Sequence, residues 1–224
     1  ATGASSSALG FQNTAGDRST AVGYNNQATG IDASVFGNRS CATSTESTAI
    51  GRGTCATATN SSAFGYFAKA TTSNATAVGH CSCAITGFGA SAFGFRSTAS
   101  APYTTASGYQ AIASANQGTA VGRLVLADAV GGSAFGNASK ASGTNSTAVG
   151  FQSCVTASNS SAFGKNSCVT GIQSIASGYL SCATCNDTTA IGRSSCATGG
   201  SSTASGYFAR ATGSKATASG FYAK

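Results

Sequence analysis

The chain has no methionine and no tryptophan, a single proline (Pro102) and a single histidine (His80). Only 8% of its 224 residues are charged, five of them acidic: Asp17, Asp32, Glu46, Asp128 and Asp187. Leucine occurs at just four places, Leu9, Leu124, Leu126 and Leu180. Each scarcity excludes something. Without large aliphatic side chains the chain cannot fill a broad globular core. It can fill a thin one, where strands lie close and small side chains meet. With one histidine and five acids in scattered repeats, mostly in turns, no base stands beside any of the many serines, so nucleophilic catalysis has no machinery. We expect no enzyme activity and no cofactor. No glycine-rich segment leads into Gly-Lys-Ser/Thr, which leaves phosphate-loop binding without a motif. No apolar run reaches the 18 residues of a membrane-spanning helix. The chain lacks an initiator methionine and a signal peptide, as a processed product or excised fragment would.

What is present is a repeat. Ser133-Ala134-Phe135-Gly136 has relatives at Thr20-Ala21-Val22-Gly23, Thr48-Ala49-Ile50-Gly51, Ser161-Ala162-Phe163-Gly164 and Thr189-Ala190-Ile191-Gly192. There are 16 copies, their glycines running from Gly10 to Gly220. Of 15 spacings, 13 are 14 residues, one is 13 and one is 15. A fixed period sets the architecture before any single residue does. Apolar residues recurring in register argue against disorder, which a Ser/Gly/Thr-rich composition would otherwise suggest.

Each position can be read as a column numbered from the motif glycine. Two before it stands Ala in 15 copies, with Val35 the exception. Three before stands Ser or Thr in 15, with Ile175 the exception. The residue just before is Val, Ile, Leu or Phe in 12. Five past the glycine stands Ala, or Val at Val155 and Val169. Asn60, Asn74, Asn145, Asn159 and Asp187 share a column in a Gly/Asn-rich turn. Each repeat thus holds two alternating segments of about five residues, too short for helices, and two turns. The expectation is an all-β parallel solenoid of about 16 coils, one domain over residues 1–224. At ~4.8 Å per coil it would be about 75 Å long. The motif glycine marks a bend with positive φ or no room for Cβ. The stretch Leu124–Val130 keeps the period but breaks the column chemistry, which points to a bulge or a contact. The extra residue between Gly79 and Gly94 falls in a longer turn within Ile85–Ala90.

Alternation sorts the faces. The alanines of both strands point inward. The opposite face carries Val22, Phe36, Ile50, Phe64, Val78, Phe93, Val121, Phe135, Val149, Phe163 and Ile191 outward in a row. The next column adds Phe11, Tyr24, Tyr66, Phe95, Tyr109, Phe151, Tyr179, Tyr207 and Phe221, with His80 in the place of an aromatic. Such a stripe exceeds the patch of a few hundred Å² that a monomer usually shows. Self-association about an axis parallel to the solenoid would cover it. The net charge is +7. The basic residues form no run along the chain and read as solvated faces rather than a nucleic-acid stripe.

The pattern of Thr76-Ala77-Val78-Gly79 or Ser62-Ala63-Phe64-Gly65, followed by Ala70-Thr71 and a Gly/Asn turn, resembles the head repeats of trimeric autotransporter adhesins, the YadA-like heads and haemagglutinin-type repeats. The resemblance covers essentially the whole chain. It implies a left-handed parallel β-roll, a homotrimer, and an extracellular place on a cell surface where heads bind host matrix or other cells. The neck, coiled-coil stalk and membrane-anchoring barrel that accompany such heads have no counterpart in these residues, so a phage or viral fibre is an alternative setting. The expected partners are other copies of the chain and an unidentified protein or glycan ligand, without nucleic acid or membrane insertion. Two alternatives keep the fold. One is an end-to-end polymer with open strand edges. The other is an ice-binding solenoid using the Ser/Thr column three before the glycine.

Nine cysteines are unusual for such heads. Seven share the column four past the glycine: Cys41, Cys55, Cys83, Cys154, Cys168, Cys182 and Cys196. Column partners in adjacent coils stand about 5 Å apart, within the Cα range of a disulfide. Cys41–Cys55, Cys154–Cys168 and Cys182–Cys196 are the first candidate pairs, with Cys168–Cys182 competing. Cys81 approaches Cys83 or pairs between chains. Disulfides would place the chain in an oxidising compartment; a reduced ladder of small residues is the alternative. The Cys182–Cys185 CxxC and the His80–Cys83 cluster lack the second pair that zinc sites use, so no metal is expected.

Overall fold

The computed structural model describes residues 1–224. It is a helix-free parallel β-solenoid of about 15 turns, each of about 14 residues. Sixteen longer strands of three to five residues alternate along the chain with fifteen strands of two. The chain divides into two compact units, Ala1–Ala113 and Ser114–Lys224. Within each unit every strand pairs in parallel with its equivalent one coil on. In the first unit Thr48–Arg52 aligns Ala49 with Ala63 and Gly51 with Gly65. In the second, Thr119–Arg123 aligns Ala120 with Ala134 and Gly122 with Gly136.

The core consists of the expected alanines and of more. Ala49, Ala63, Ala134 and Ala162 are fully buried, as are Ala42, Ala56, Val155 and Val169 from the short strands. Val35 substitutes inward for alanine in the long strand. Two further columns also point in, four before and three past the glycine. They hold Ser19, Ser47, Ser61 and Thr188 in one, and Asn26, Ser40, Thr54 and Ser167 in the other, all buried. Buried hydroxyls need partners, and the turns supply them to many, though the hydroxyls of Thr54, Ser82, Ser139, Ser146 and Ser153 in these columns have none. Ser19 Oγ donates to the Gly16 carbonyl at 2.7 Å, Thr188 Oγ1 to Cys185 at 2.7 Å and Ser181 Oγ to Gly178 at 3.1 Å. Asn26 bridges two coils, its Nδ2 donating to the Val22 and Gly37 carbonyls while its Oδ1 accepts from the Ser40 N–H.

The turns explain the period. A residue with positive φ recurs every seven positions: Asn25, Asp32, Arg39, Glu46, Gly53, Asn60, Phe67, Asn74 and Cys81 all lie at φ between 51° and 63°. A 14-residue coil is therefore two seven-residue halves, each closed by one left-handed turn residue. Asn and Asp tolerate that conformation best, which accounts for the Asn60/Asn74/Asn145/Asn159/Asp187 column. The two irregular spacings each fall in one half-coil. The positive-φ residues Gln12 and Arg18 are six apart, and Cys81 and Gly89 are eight apart. The longer turn does lie in residues 85–90, where Gly87 and Gly89 both have positive φ.

Three expectations need correction. The second strand of each coil has two residues, not five, because the left-handed turn residue two past the glycine consumes the rest. Sixteen long strands close about 15 coils, since the last is not followed by a short strand. The stretch Leu124–Val130 contains no bulge. Leu124 takes the left-handed turn position, Val125 fills the inward column, and Leu126–Ala127 pairs in register with Lys140–Ala141.

The motif glycine is required on two counts. At Gly51 φ is 133°, and a Cβ there would lie under 3.0 Å from the Gly65 carbonyl. The obstacle is backbone, so it cannot swing away. Gly51→Ala is expected to cost about 3 kcal/mol. At Gly200 nothing lies within 4 Å of the place a Cβ would take, and Gly200→Ala should stay within about 0.5 kcal/mol of wild type. Urea midpoints of the two variants check this; equal stability would remove the argument for the glycine column.

Candidate interaction surface

The outward face of the long strands carries two apolar columns. In the first unit Leu9, Val22, Phe36, Ile50, Phe64, Val78 and Phe93 run through seven consecutive coils without a polar interruption. Phe36, Ile50 and Phe93 are each about two-fifths exposed, at 41%, 39% and 40%. In the second unit Val121, Phe135, Val149 and Phe163 continue the pattern, Ser177 interrupts it before Ile191, and Ser205 and Ser219 follow. The apolar stripe is therefore strongest in the first unit.

The column one past the glycine is a ladder of rings and cations. In the first unit Tyr66, His80, Phe95 and Tyr109 stack with centroids 4.9, 5.0 and 5.2 Å apart. His80 is one ring of this stack, as the sequence suggested. Arg52 lies over Tyr66 at 5.4 Å. In the second unit the column alternates. Lys165 lies between Phe151 and Tyr179 at 5.5 and 5.8 Å, and Arg193 between Tyr179 and Tyr207 at 5.7 and 5.3 Å. Ring faces are thus occupied by neighbouring coils, and ring edges face solvent.

The charges are segregated, contrary to the reading along the chain. Columns one, two and four past the glycine wrap around the same turn. In the first unit Arg39, Arg52, Lys69 and Arg96 all lie there, with no acid in those columns. Asp17, Asp32 and Glu46 sit at the other turn with Arg18, which pairs with Asp32 at 2.6 Å and holds its carboxyl below the usual range. Asp32 and Glu46 share one column in adjacent coils, so the acids are less dispersed than their sequence positions suggest. In the second unit Arg123, Lys140, Lys165, Arg193, Arg210 and Lys224 occupy the corresponding columns. Linear position hides this edge, because three columns of different phase meet only once the turn is folded.

The cysteines form the expected register. Cys41 pairs with Cys55, Cys154 with Cys168, Cys168 with Cys182, and Cys182 with Cys196. All nine are half-buried thiols. Cys83 shares a coil with Cys81, its Sγ 3.7 Å from the Cys81 carbonyl oxygen. Cys185 lies at the other turn and donates to the Thr198 carbonyl at 2.8 Å, away from Cys182. A hydrogen bond from Cys41 lowers Cys55 to about 6, with Lys69 assisting against burial. A hydrogen bond from Cys182 lowers Cys168 to about 6 in the same way. Cys41 and Cys182 are pushed up by the same bonds, while burial raises Cys83 and Cys154.

These observations define a class: an all-β, parallel solenoid repeat protein with exposed apolar, aromatic and basic columns. The profile of the YadA head domain repeat matches residues 1–26, 15–40, 28–54, 56–80, 86–109, 99–123, 127–153, 156–181 and 197–223. The chain belongs to the YadA head domain repeat family, and such head repeats make it an adhesin-like surface protein. No curated protein matches it.

The thiol register gives a direct test. In the reduced protein one thiol of the Cys41–Cys55 pair and one of the Cys168–Cys182 pair should react first with iodoacetamide. At about pH 5.5 their thiolate fraction exceeds that of an ordinary cysteine on the order of a hundredfold. Lower intrinsic nucleophilicity reduces the advantage to on the order of tenfold. Their labelling should fall as pH drops below 6. Peptide mass mapping reads this out; uniform labelling of all nine would overturn the assignment.

Proposed function

We propose that the long-strand face packs against the same face of other copies about an axis parallel to the solenoid, giving a homotrimeric head. We take residues 1–224 as one repeat domain, since the same repeat runs through both units. Its setting is extracellular, on a cell surface or a fibre. Its remaining lateral faces bind a protein or glycan ligand. The observation that carries this reading is the seven-coil apolar column from Leu9 to Phe93, a continuous run where a monomer's surface usually carries its apolar residues singly. Family membership supports the same arrangement. The packing residues are Val22, Phe36, Ile50, Phe64, Val78, Phe93, Val121, Phe135, Val149, Phe163 and Ile191. In an oxidising setting the register neighbours Cys41–Cys55, Cys154–Cys168 and Cys182–Cys196 are the pairs that would close, each passing two electrons and two protons to an oxidant such as oxygen. No catalytic role is assigned.

A second reading has its own observation. The column six past the glycine holds Thr29, Thr43, Thr57 and Thr71 in four consecutive coils, and Thr156, Thr170, Thr184, Thr198 and Thr212 in five. Most of these are exposed, each one residue past a short strand, and the strands pair in a constant register. Such an array could order water and bind ice, with these threonines in place of the half-buried column three before the glycine. Thermal hysteresis that disappears in Thr170→Lys/Thr184→Lys would favour it. Its absence in wild type would remove it.

Sedimentation equilibrium tests the first reading. The expected mass is that of three chains of 21.6 kDa. Phe36→Asp/Phe64→Asp should weaken assembly by about a hundredfold, at roughly 1.4 kcal/mol per residue, while the β-sheet spectrum persists. A wild-type chain that stays monomeric would refute the trimer. An open-ended series of sizes would favour the end-to-end polymer instead.

A further inference from the structure

The first-turn edge of the first unit contains a cleft of about 400 Å³ lined by Arg39, Arg52, Gly53, Cys55, Phe67 and Lys69. Its shape has a local cause. Gly53 is the one glycine in its turn column within this unit, and a Cβ there would meet the Phe67 ring under 3.0 Å away. The missing side chain leaves a notch over which Phe67 lies. Three cations from three successive coils converge on it, and no acid lines it. Arg52 is held in place by the Tyr66 ring and its hydroxyl. Even with the Cys55 thiol ionised, two positive charges remain in excess. The nearby acids, Asp32 and Glu46, lie at the opposite turn of their coils.

We propose that this cleft is a binding site for an anionic polysaccharide, whose sulfate or carboxylate groups are taken by Arg39, Arg52 and Lys69. Successive coils set the cations about 4.8 Å apart in the stacking direction, so the three span a length comparable with a disaccharide carrying an acidic group on each sugar. Guanidinium groups match such oxyanions two hydrogen bonds at a time. Single-stranded nucleic acid fits less well. It is gripped by successive bases stacking on free ring faces; the cleft offers one exposed ring, Phe67, and the faces of Tyr66, His80 and Phe95 beside it are taken by neighbours in their column. The inference rests on the adhesin reading and names the ligand class for one of its faces.

Heparin immobilised on a sensor surface is the probe, at about 0.15 M salt. Arg39→Gln/Arg52→Gln/Lys69→Gln should weaken binding at least about tenfold. Arg39→Gln alone, at an exposed turn residue, should weaken it about threefold. The charge-matched variant Arg18→Gln/Lys215→Gln/Ser201→Glu alters the other turn and should stay within about twofold of wild type. Desulfated heparin and oligo-dT of equal charge should both bind more weakly than heparin. Equal losses in the two triple variants would reduce the effect to net charge and overturn the site. Tighter binding of oligo-dT would overturn the ligand class. Sedimentation on the same samples separates the two proposals, since wild type that assembles but ignores heparin refutes this site alone.

Discussion

In both units the nearest neighbour of most residues is their own equivalent, one coil away. A parallel ladder advances by one strand spacing and keeps its register, so each column meets itself. This one constraint governs nearly everything else. Glycine stacks on glycine because a Cβ would enter the next carbonyl. Alanine stacks on alanine because two inward columns from each strand share a narrow interior. Rings stack on rings at about 5 Å because that is the interval the backbone imposes. Thiols stand beside thiols, and each coupled pair splits in acidity, one pushed up and the other down. Like charges would stack as well, and the second unit avoids this along one column by placing Lys165 and Arg193 between aromatic rings.

Self-adjacency also explains what could be read from the residues alone. The columns are explicit in the repeat, and period-two alternation assigns inward and outward positions wherever the chain is extended. The Ala/Val core, the outward Val/Phe row and the cysteine register follow from that, as does His80 among the rings. Alternation says nothing about the turns. There the chain reverses its facing within two or three residues, through left-handed positions that most side chains occupy at a cost of about 1 kcal/mol. Alternation therefore gives no sign that Ser19, Ser47 and Asn26 point inside, although they line the interior and close the turns by bonding to carbonyls three or four residues back. The seven-residue half-coil was hidden for the same reason. Its marker is a backbone angle, carried by Arg39, Glu46, Phe67 and Cys81 as readily as by Asn60.

The basic edge shows this limit in its functional form. Arg52 and Lys69 belong to different columns, and Arg39 to a third. Counted along the chain they look scattered. Around the first turn they face one cleft, because the turn residue at Gly53 brings the end of the long strand against the start of the short one. A signal was available in the sequence: Arg39, Arg52, Lys69 and Arg96 all fall within four residues past a motif glycine, whereas Asp17, Asp32 and Glu46 fall five or six before one. Phase relative to the glycine, rather than linear clustering, is the measure of charge asymmetry in such a fold.

The phases also keep different surfaces apart. The apolar row lies on the long strands, most of the thiols on the short strands with the threonines just past them, and the cations on either side of the turn between, Arg52 ending a long strand and Lys69 opening a short one. Packing through the long-strand face would bury Phe36 and Phe64 and leave the first-turn cleft at the margin of the contact. Assembly and ligand capture then draw on separate columns of one repeat. Each can vary without disturbing the other, so long as the glycine and alanine columns hold the coils in register. The alternation of Val, Phe and Ile in the packing row, against the unbroken recurrence of the motif glycine from Gly10 to Gly220, fits this division. The backbone contact allows no choice at the glycine, while an outward-facing row permits any apolar side chain that the neighbouring copy can accommodate.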